Sequence, residues 1–211
     1  MKDKKFVLAS GSPRRIEMMQ SHGLEPKVCP ADIEENLPLV DGMKETVMFL
    51  ALKKAKAVEA ELLDSCDGGD AFDGAFTGAS AGENPHVGSI IIAADTVVYK
   101  DEIMGKPADF DDAFQMLTKL KNTWHYVTTG VALVVCGEQK ARIFAEVTKV
   151  HFKDYTDEEL RAYLETDEAY DKAGAYAIQG HFAKYIEKFE GDYNNVVGFP
   201  WDRIEEEVKK L

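Results

Sequence analysis

Ser89-Ile90-Ile91-Ile92-Ala93-Ala94 is an unbroken apolar run rich in β-branched residues. A strand of this kind has no polar face to offer water, so it belongs at the centre of a sheet covered on both sides. The expected fold class is α/β. The run leads into Asp95-Thr96, and a carboxylate at the C-terminal end of a buried strand is where open α/β sheets place chemistry. An aspartate that merely caps the following turn is the competing reading of that residue. With 211 residues and 45% apolar content, the chain has material for one substantial core, and we read it as a single domain over 1–211.

A second constraint lies near the start. Phe6-Val7-Leu8 is a short strand candidate followed by Ala9-Ser10-Gly11-Ser12-Pro13-Arg14-Arg15 and then the helical pattern Ile16-Glu17-Met18-Met19. Ser12 suits the N-cap, Pro13 the first helical position and Gly23 the residue just past the end. The charge is anomalous, because a helix N-terminus is partly positive and favours acidic neighbours, yet two arginines occupy this first turn. Free N–H groups, the hydroxyls of Ser10 and Ser12 and two guanidinium groups converge there, which suits a polyanion such as a phosphate chain. A surface helix with a misplaced basic pair is the blander alternative.

The formal charge of −13 argues against a duplex nucleic-acid partner, so an anionic ligand needs a local basic pocket. Met1-Lys2-Asp3-Lys4-Lys5 is basic, but the apolar run after it is too short for a signal sequence and no stretch reaches membrane-spanning length. A cytoplasmic protein with no membrane partner is expected. Cys29, Cys66 and Cys136 are widely spaced and read as free thiols.

Lys27-Val28-Cys29 is a weak strand candidate, followed by an acidic turn in which Glu35 can return to carry a divalent metal or can remain a solvated loop residue. From Lys44 to Leu63, the residues Val47, Leu50, Ala51, Ala55, Val58 and Leu62 form one apolar helical stripe. Lys54 falls on that stripe. It either points inward to an anion, a carboxylate or a bound phosphate, or snorkels along the edge. The acidic, glycine-rich stretch from Asp64 to Gly88 has no Lys or Arg and reads as an insertion loop.

Val97-Val98-Tyr99 and Ile103-Met104 are expected to pair as a hairpin that delivers Gly105-Lys106-Pro107. Asp109 and the Thr156–Glu159 capping box open two further helices. Trp124–Val135 and 142–152 form a long hairpin, read as scaffold. In Asp171-Lys172-Ala173-Gly174-Ala175-Tyr176-Ala177-Ile178-Gln179-Gly180, small residues permit close backbone approach to a ligand, and Gln179 offers an amide that can read a base edge; an ordinary turn is the alternative reading. Phe182 to Phe189 reads as a strand, Gly191–Asn195 as a polar turn and Pro200 as the start of a last helix.

Basic groups at Arg14, Arg15, Lys54 and Lys106 together with carboxylates at Glu35 and Asp95 point to phosphate-ester chemistry. The glycine pattern of a Walker P-loop is absent. Five segments carry a resemblance: Leu8–Arg15, Ala94–Val98, Gly105–Pro107, Asp171–Gly180 and Gly191–Gly198 resemble, in order, the motifs of the Maf family of nucleoside triphosphate pyrophosphatases. That resemblance implies a fold like that of the inosine triphosphate pyrophosphatases, an elongated mixed sheet with helices around a central cleft. It implies hydrolysis of a nucleoside triphosphate to the monophosphate and pyrophosphate, in house-cleaning of non-standard nucleotides or otherwise. A divalent cation, Mg2+ or Mn2+, is the implied cofactor. Asp95 matches the family's proton acceptor, while Arg14, Thr96 and Gln179 match positions associated with the branch acting on dTTP and UTP. Ser10, Ser12, Arg15, Lys54 and Lys106 complete the expected substrate contacts, and Glu35 with Asp95 the metal ligands. Whether Asp95 is base, ligand or both is open at this level, as is assembly into a homodimer. A non-catalytic nucleotide sensor linked to cell division is the rival from another class.

Overall fold

The computed structural model describes residues 4–34, 42–64 and 84–211. Glu35, Cys66 and most of the 64–88 insertion lie outside the described residues. The described elements are β1 (Phe6–Leu8), α1 (Pro13–Ser21), β2 (Lys27–Val28), α2 (Met43–Asp64), β3 (Ile90–Lys100), β4 (Glu102–Met104), α3 (Phe110–Leu120), β5 (Trp124–Val135), β6 (Ala141–Phe152), α4 (Asp157–Leu164), β7 (Ile186–Glu190), α5 (Tyr193–Val197) and α6 (Trp201–Val208). Strands order as β2-β1-β3-β5-β6-β7 in one sheet of seven, with β4 also on β3. β1 runs parallel to β2 and β3, and the other pairings are antiparallel, so the sheet is mixed, as the family resemblance implies.

The central run behaves as its composition requires: Ile90 to Ala94 are buried, and helices cover both faces. On the face of odd-numbered β3 residues, Val7, Ile91, Ala93, Ala132 and Val134 pack against Ala51, Ala55, Val58 and Leu62 of α2, which bear out the helical stripe. The even face carries two clusters. Ile90, Ile92, Ala94, Val131 and Leu133 meet Met19 of α1 and Trp201, Ile204 and Val208 of α6. Farther along, Val98, Val127, Val150 and Phe152 meet α3, α4 and the aromatic group Tyr155, Tyr163, Tyr176, Phe182 and Tyr185. Thr96 lies on β3 in the seam between these two clusters.

β3 does not stop at Asp95. It continues to Lys100, so Asp95 is mid-strand and the hairpin to β4 follows it. The strand extends because β5 pairs with it throughout, from Ile90↔Val135 to Tyr99↔Tyr126. Its other edge is shared: β1 pairs with residues 90–92 and β4 with residues 98–100. Between them, residues 93–97 have no strand partner on that edge among the described residues. This notch is where the cavity opens.

The expected caps are present. Asp109 accepts from the N–H of Asp112 at 2.9 Å, and Thr156 and Glu159 form the reciprocal capping box. α1 ends with bonds from Gly23 N–H to Gln20 and Leu24 N–H to Met19, around Gly23 at φ 74°. The predicted strand from Phe182 is shorter than expected, because His181–Tyr185 is a 3-10 turn that buries Phe182 and Tyr185 before β7 begins at Ile186. The predicted turn around Asn195 is α5, capped by the Asp192 carboxylate. Cys29 and Cys136 are free thiols. No described helix is long and apolar enough to cross a membrane.

Candidate active site

A cavity of about 920 Å³ sits at the notch in the sheet, lined by the β1–α1 turn, α2, β3, the turn after β4 and the segment from Asp171 to Gln179. Every described residue expected at the site lines it: Ser10, Ser12, Arg14, Arg15, Lys54, Asp95, Thr96, Lys106 and Gln179.

Asp95 is nearly buried, at 8% exposure, on the odd face of β3. Lys54 of α2 meets it, with Nζ 2.6 Å from Oδ1. The lysine on an apolar stripe therefore points inward to a carboxylate rather than snorkelling. Its position depends on Gly130 of β5, the register partner of Asp95. A Cβ at Gly130 would lie 2.3 Å from the Val47 carbonyl carbon and 2.4 Å from its oxygen, so only glycine lets α2 lie this close to the sheet.

Arg15 reaches from α1 into the notch. Its guanidinium donates to the carbonyls of Ala94 at 2.8 Å and Gly198 at 3.0 Å, to Ser10 Oγ at 3.0 Å and to Thr96 Oγ1 at 3.4 Å. The Ala94 carbonyl belongs to the unpaired edge of β3, so Arg15 replaces the missing strand there. Of the two arginines, Arg15 braces the wall, and Arg14 lies within the electrostatic reach of Asp171 and Tyr163. Burial pushes the Asp171 carboxyl up, but the hydrogen bond and charge of Lys172 and the charge of Arg14 outweigh it and hold the group below its usual range. Ser12 stands at the N-cap without a side-chain capping bond, and Ser10 Oγ accepts from the Ser12 N–H at 3.3 Å.

Thr96, pointing to the opposite face from Asp95, joins a polar seam. Its Oγ1 is 3.0 Å from Thr129 Oγ1, Thr129 bonds the Asn195 carbonyl at 3.0 Å, and Asn195 Nδ2 donates to Val127 O and Thr148 Oγ1, each at 3.0 Å. The Gln179 segment approaches from this side. Gly174, at φ 67°, packs so closely that a Cβ would lie 2.7 Å from Val98 Cγ2, and its N–H donates to the Gly105 carbonyl at 2.9 Å. That bond ties the Lys106 turn to the Gln179 segment. Beyond Gln179, the Glu168 carboxylate accepts from the His181 backbone at 3.0 Å and faces its ring at 2.7 Å, anchoring the segment's far end. Tyr176, another lining residue, is held by His125 Nε2 at 2.6 Å from its hydroxyl.

Sequence reasoning missed Thr129, Gly130 and His125, since 124–135 reads as scaffold; Tyr176 lies in the segment it singled out, but without a role of its own. The available signal was Thr128-Thr129-Gly130, polar and small residues interrupting a strand otherwise suited to the core.

A family model described as Maf-like protein matches residues 5–211. The chain belongs to the Maf family. Similar curated proteins named dTTP/UTP pyrophosphatase include one from Geobacter sp. (strain M21), 44% identical over 202 residues that cover 95% of this chain and 92% of the relative. One from Acetivibrio thermocellus is 40% identical over 205 residues, covering 97% and 94%. One from Geobacillus sp. (strain WCH70) is 40% identical over 209 residues, covering 99% and 98%. The Maf resemblance thus extends well beyond five motifs to nearly the whole chain, scaffold included.

Proposed function

We propose that the protein hydrolyses nucleoside triphosphates, dTTP and UTP foremost, to the monophosphate and pyrophosphate. The observation that carries this reading is the Lys54–Asp95 pair at 2.6 Å, set in the wall of a cavity that also presents Ser12, Arg14 and Lys106. Asp95 is the general base. It takes the proton of a water whose oxygen attacks the α-phosphorus as the bond to the bridging oxygen breaks and pyrophosphate departs. Lys54 fixes the carboxylate's orientation and sets a positive charge beside the reacting centre. Lys106, Arg14 and the first turn of α1 offset the charge of the triphosphate and of the leaving group.

The donor set fits a divalent cation. Lys54 occupies Oδ1 of Asp95, so Oδ2, with two lone pairs, is the oxygen we assign both to the ion and to the proton of the attacking water. Mg2+ commonly takes one or two carboxylates together with substrate phosphates and waters. Among the described residues, no group of three or more His, Cys, Asp or Glu could hold an ion, so the substrate's own oxygens belong to the proposed set. When bound, Mg2+ or Mn2+ supplies charge neutralisation at the phosphoryl oxygens. Glu35, the second proposed ligand, lies outside the described residues.

The names of the relatives support the base preference, and Gln179 provides its chemistry. Uracil and thymine present carbonyl, N–H, carbonyl along one edge, which an amide can partly match. The test is product analysis with a panel of nucleotides and Mg2+ or Mn2+. Pyrophosphate and monophosphate are expected, fastest from dTTP and UTP and abolished by a chelator; nucleoside diphosphate and orthophosphate as main products would refute the assignment.

A further inference from the structure

The hydroxyl chain behind Thr96 has a direction. A carbonyl oxygen only accepts, so the single proton of Thr129 is spent on the Asn195 carbonyl at 3.0 Å. Thr129 Oγ1 must then accept from Thr96, 3.0 Å away, which turns the Thr96 proton away from the cavity. On its other side, Thr96 Oγ1 accepts from Arg15 Nη2, a group that only donates. A hydroxyl oxygen has one proton and two lone pairs. What Thr96 retains for a ligand is one lone pair.

The geometry points to Thr129 as a specificity-positioning residue, one that makes Thr96 an acceptor toward the substrate so that it takes the ring imino N–H of uracil or thymine. Thr129 is fully buried and acts through Thr96, its register partner. Thr96 shares its face of β3 with Val98, against which the Gln179 segment packs, whereas Asp95 turns to Lys54 on the other face. Thr96 therefore belongs with the base-reading group rather than with the reacting phosphate. dTTP and UTP share an imino N–H that CTP lacks. Cytosine places an acceptor at the same ring position, and two facing lone pairs repel. Gln179 is left to donate to a ring carbonyl. This inference rests on the proposed preference for uracil and thymine nucleotides.

The test compares kcat/KM for UTP and CTP in the wild type, Thr129→Val and Thr129→Ser. Valine keeps the volume and removes the acceptor for the Thr96 proton, and the Asn195 carbonyl keeps its 2.9 Å bond from the Gly198 N–H. Thr96 is then free to donate into the cavity. The UTP-to-CTP ratio should fall about tenfold in Thr129→Val, the equivalent of one hydrogen bond, with CTP gaining, and serine should keep the wild-type ratio. Should the valine variant not fold, Thr129→Cys, with a weakly accepting sulfur, takes its place and should move the ratio the same way. A ratio within about twofold of wild type in the folded variant, or a proportionate loss for both nucleotides, overturns the inference while the base preference stands. A wild type that does not prefer UTP over CTP overturns the base preference and this inference with it.

Discussion

Asp95 and Gly130 face each other across the β3–β5 ladder, and the missing side chain of Gly130 is what admits α2 to the surface beside Asp95. Lys54 is seven residues, two helical turns, beyond Val47, whose carbonyl lies over Gly130. A displacement of α2 at Val47 is therefore carried to Nζ of Lys54. Gly130→Ala should destabilise the protein by about 1–3 kcal/mol, the usual cost of overpacking, and lower kcat more than it raises KM. Urea denaturation and steady-state kinetics with dTTP check both; unchanged stability would show that α2 has slack at this crossing.

Lys54→Met leaves a nearly buried carboxylate without its cation. Removing one partner of a buried pair disturbs the other more than the pair's own worth suggests. Turnover should drop on the order of 100-fold, a loss in kcat rather than a simple rise in KM. Asp95→Asn should abolish turnover with the fold intact by circular dichroism. Near-normal rates in either folded variant would move the chemistry elsewhere in the cavity.

Arg15→Lys keeps the charge but loses the fork. A lysine ammonium has no planar geometry with which to serve the Ala94 and Gly198 carbonyls together with Ser10 and Thr96. We expect a loss of about 2 kcal/mol in stability, from carbonyls left poorly paired at the sheet notch. If Arg15 were chiefly a phosphate contact, lysine would preserve stability and alter KM alone, and the two measurements separate these outcomes.

His125 gives a pH signature. Burial, then the neighbouring Lys100 and His151, pull its imidazole from 6.5 down to about 3. The folded state binds the proton more weakly than the unfolded chain, so its contribution is fully present above pH 6.5 and is lost as pH falls toward about 3. This one group should contribute a slope of about 1.4 kcal/mol per pH unit within that window. Denaturation of wild type and His125→Gln between pH 7 and pH 4 isolates it: the difference in stability between the two should shift toward the variant with falling pH. A constant difference would mean that His125 takes up its proton as readily in the folded state as in the unfolded chain.

Much of this architecture was legible because its signals are local. The cap at Asp109, the box at Thr156 and Glu159, and the stripe on α2 each require a few neighbouring residues, and each is found in the structure. The inward turn of Lys54 was legible as an alternative, but its partner was not, since Asp95 is 41 residues away. Arg15 shows the limit most clearly. Its position at a helix N-terminus suggests an anion contact, and nothing nearby in the chain reveals that a gap in the sheet edge would claim its guanidinium. The same holds for Thr129 and Gly130, whose meaning comes from what lies across the ladder and above it.

The bare stretch of β3 between β1 and β4 has a consequence for how such a protein changes over time. Because consecutive side chains of a strand point to opposite sides, the notch places the carboxylate proposed as the base, Asp95, and the hydroxyl proposed to read the nucleobase, Thr96, one residue apart in the chain yet in separate neighbourhoods. On the proposed reading, substitutions around Thr96, in α5 or in the segment ending at Gln179, fall on the side of β3 away from the Lys54–Asp95 pair. On that reading, one unpaired stretch of strand edge lets a scaffold diversify its diet while inheriting its chemistry unchanged.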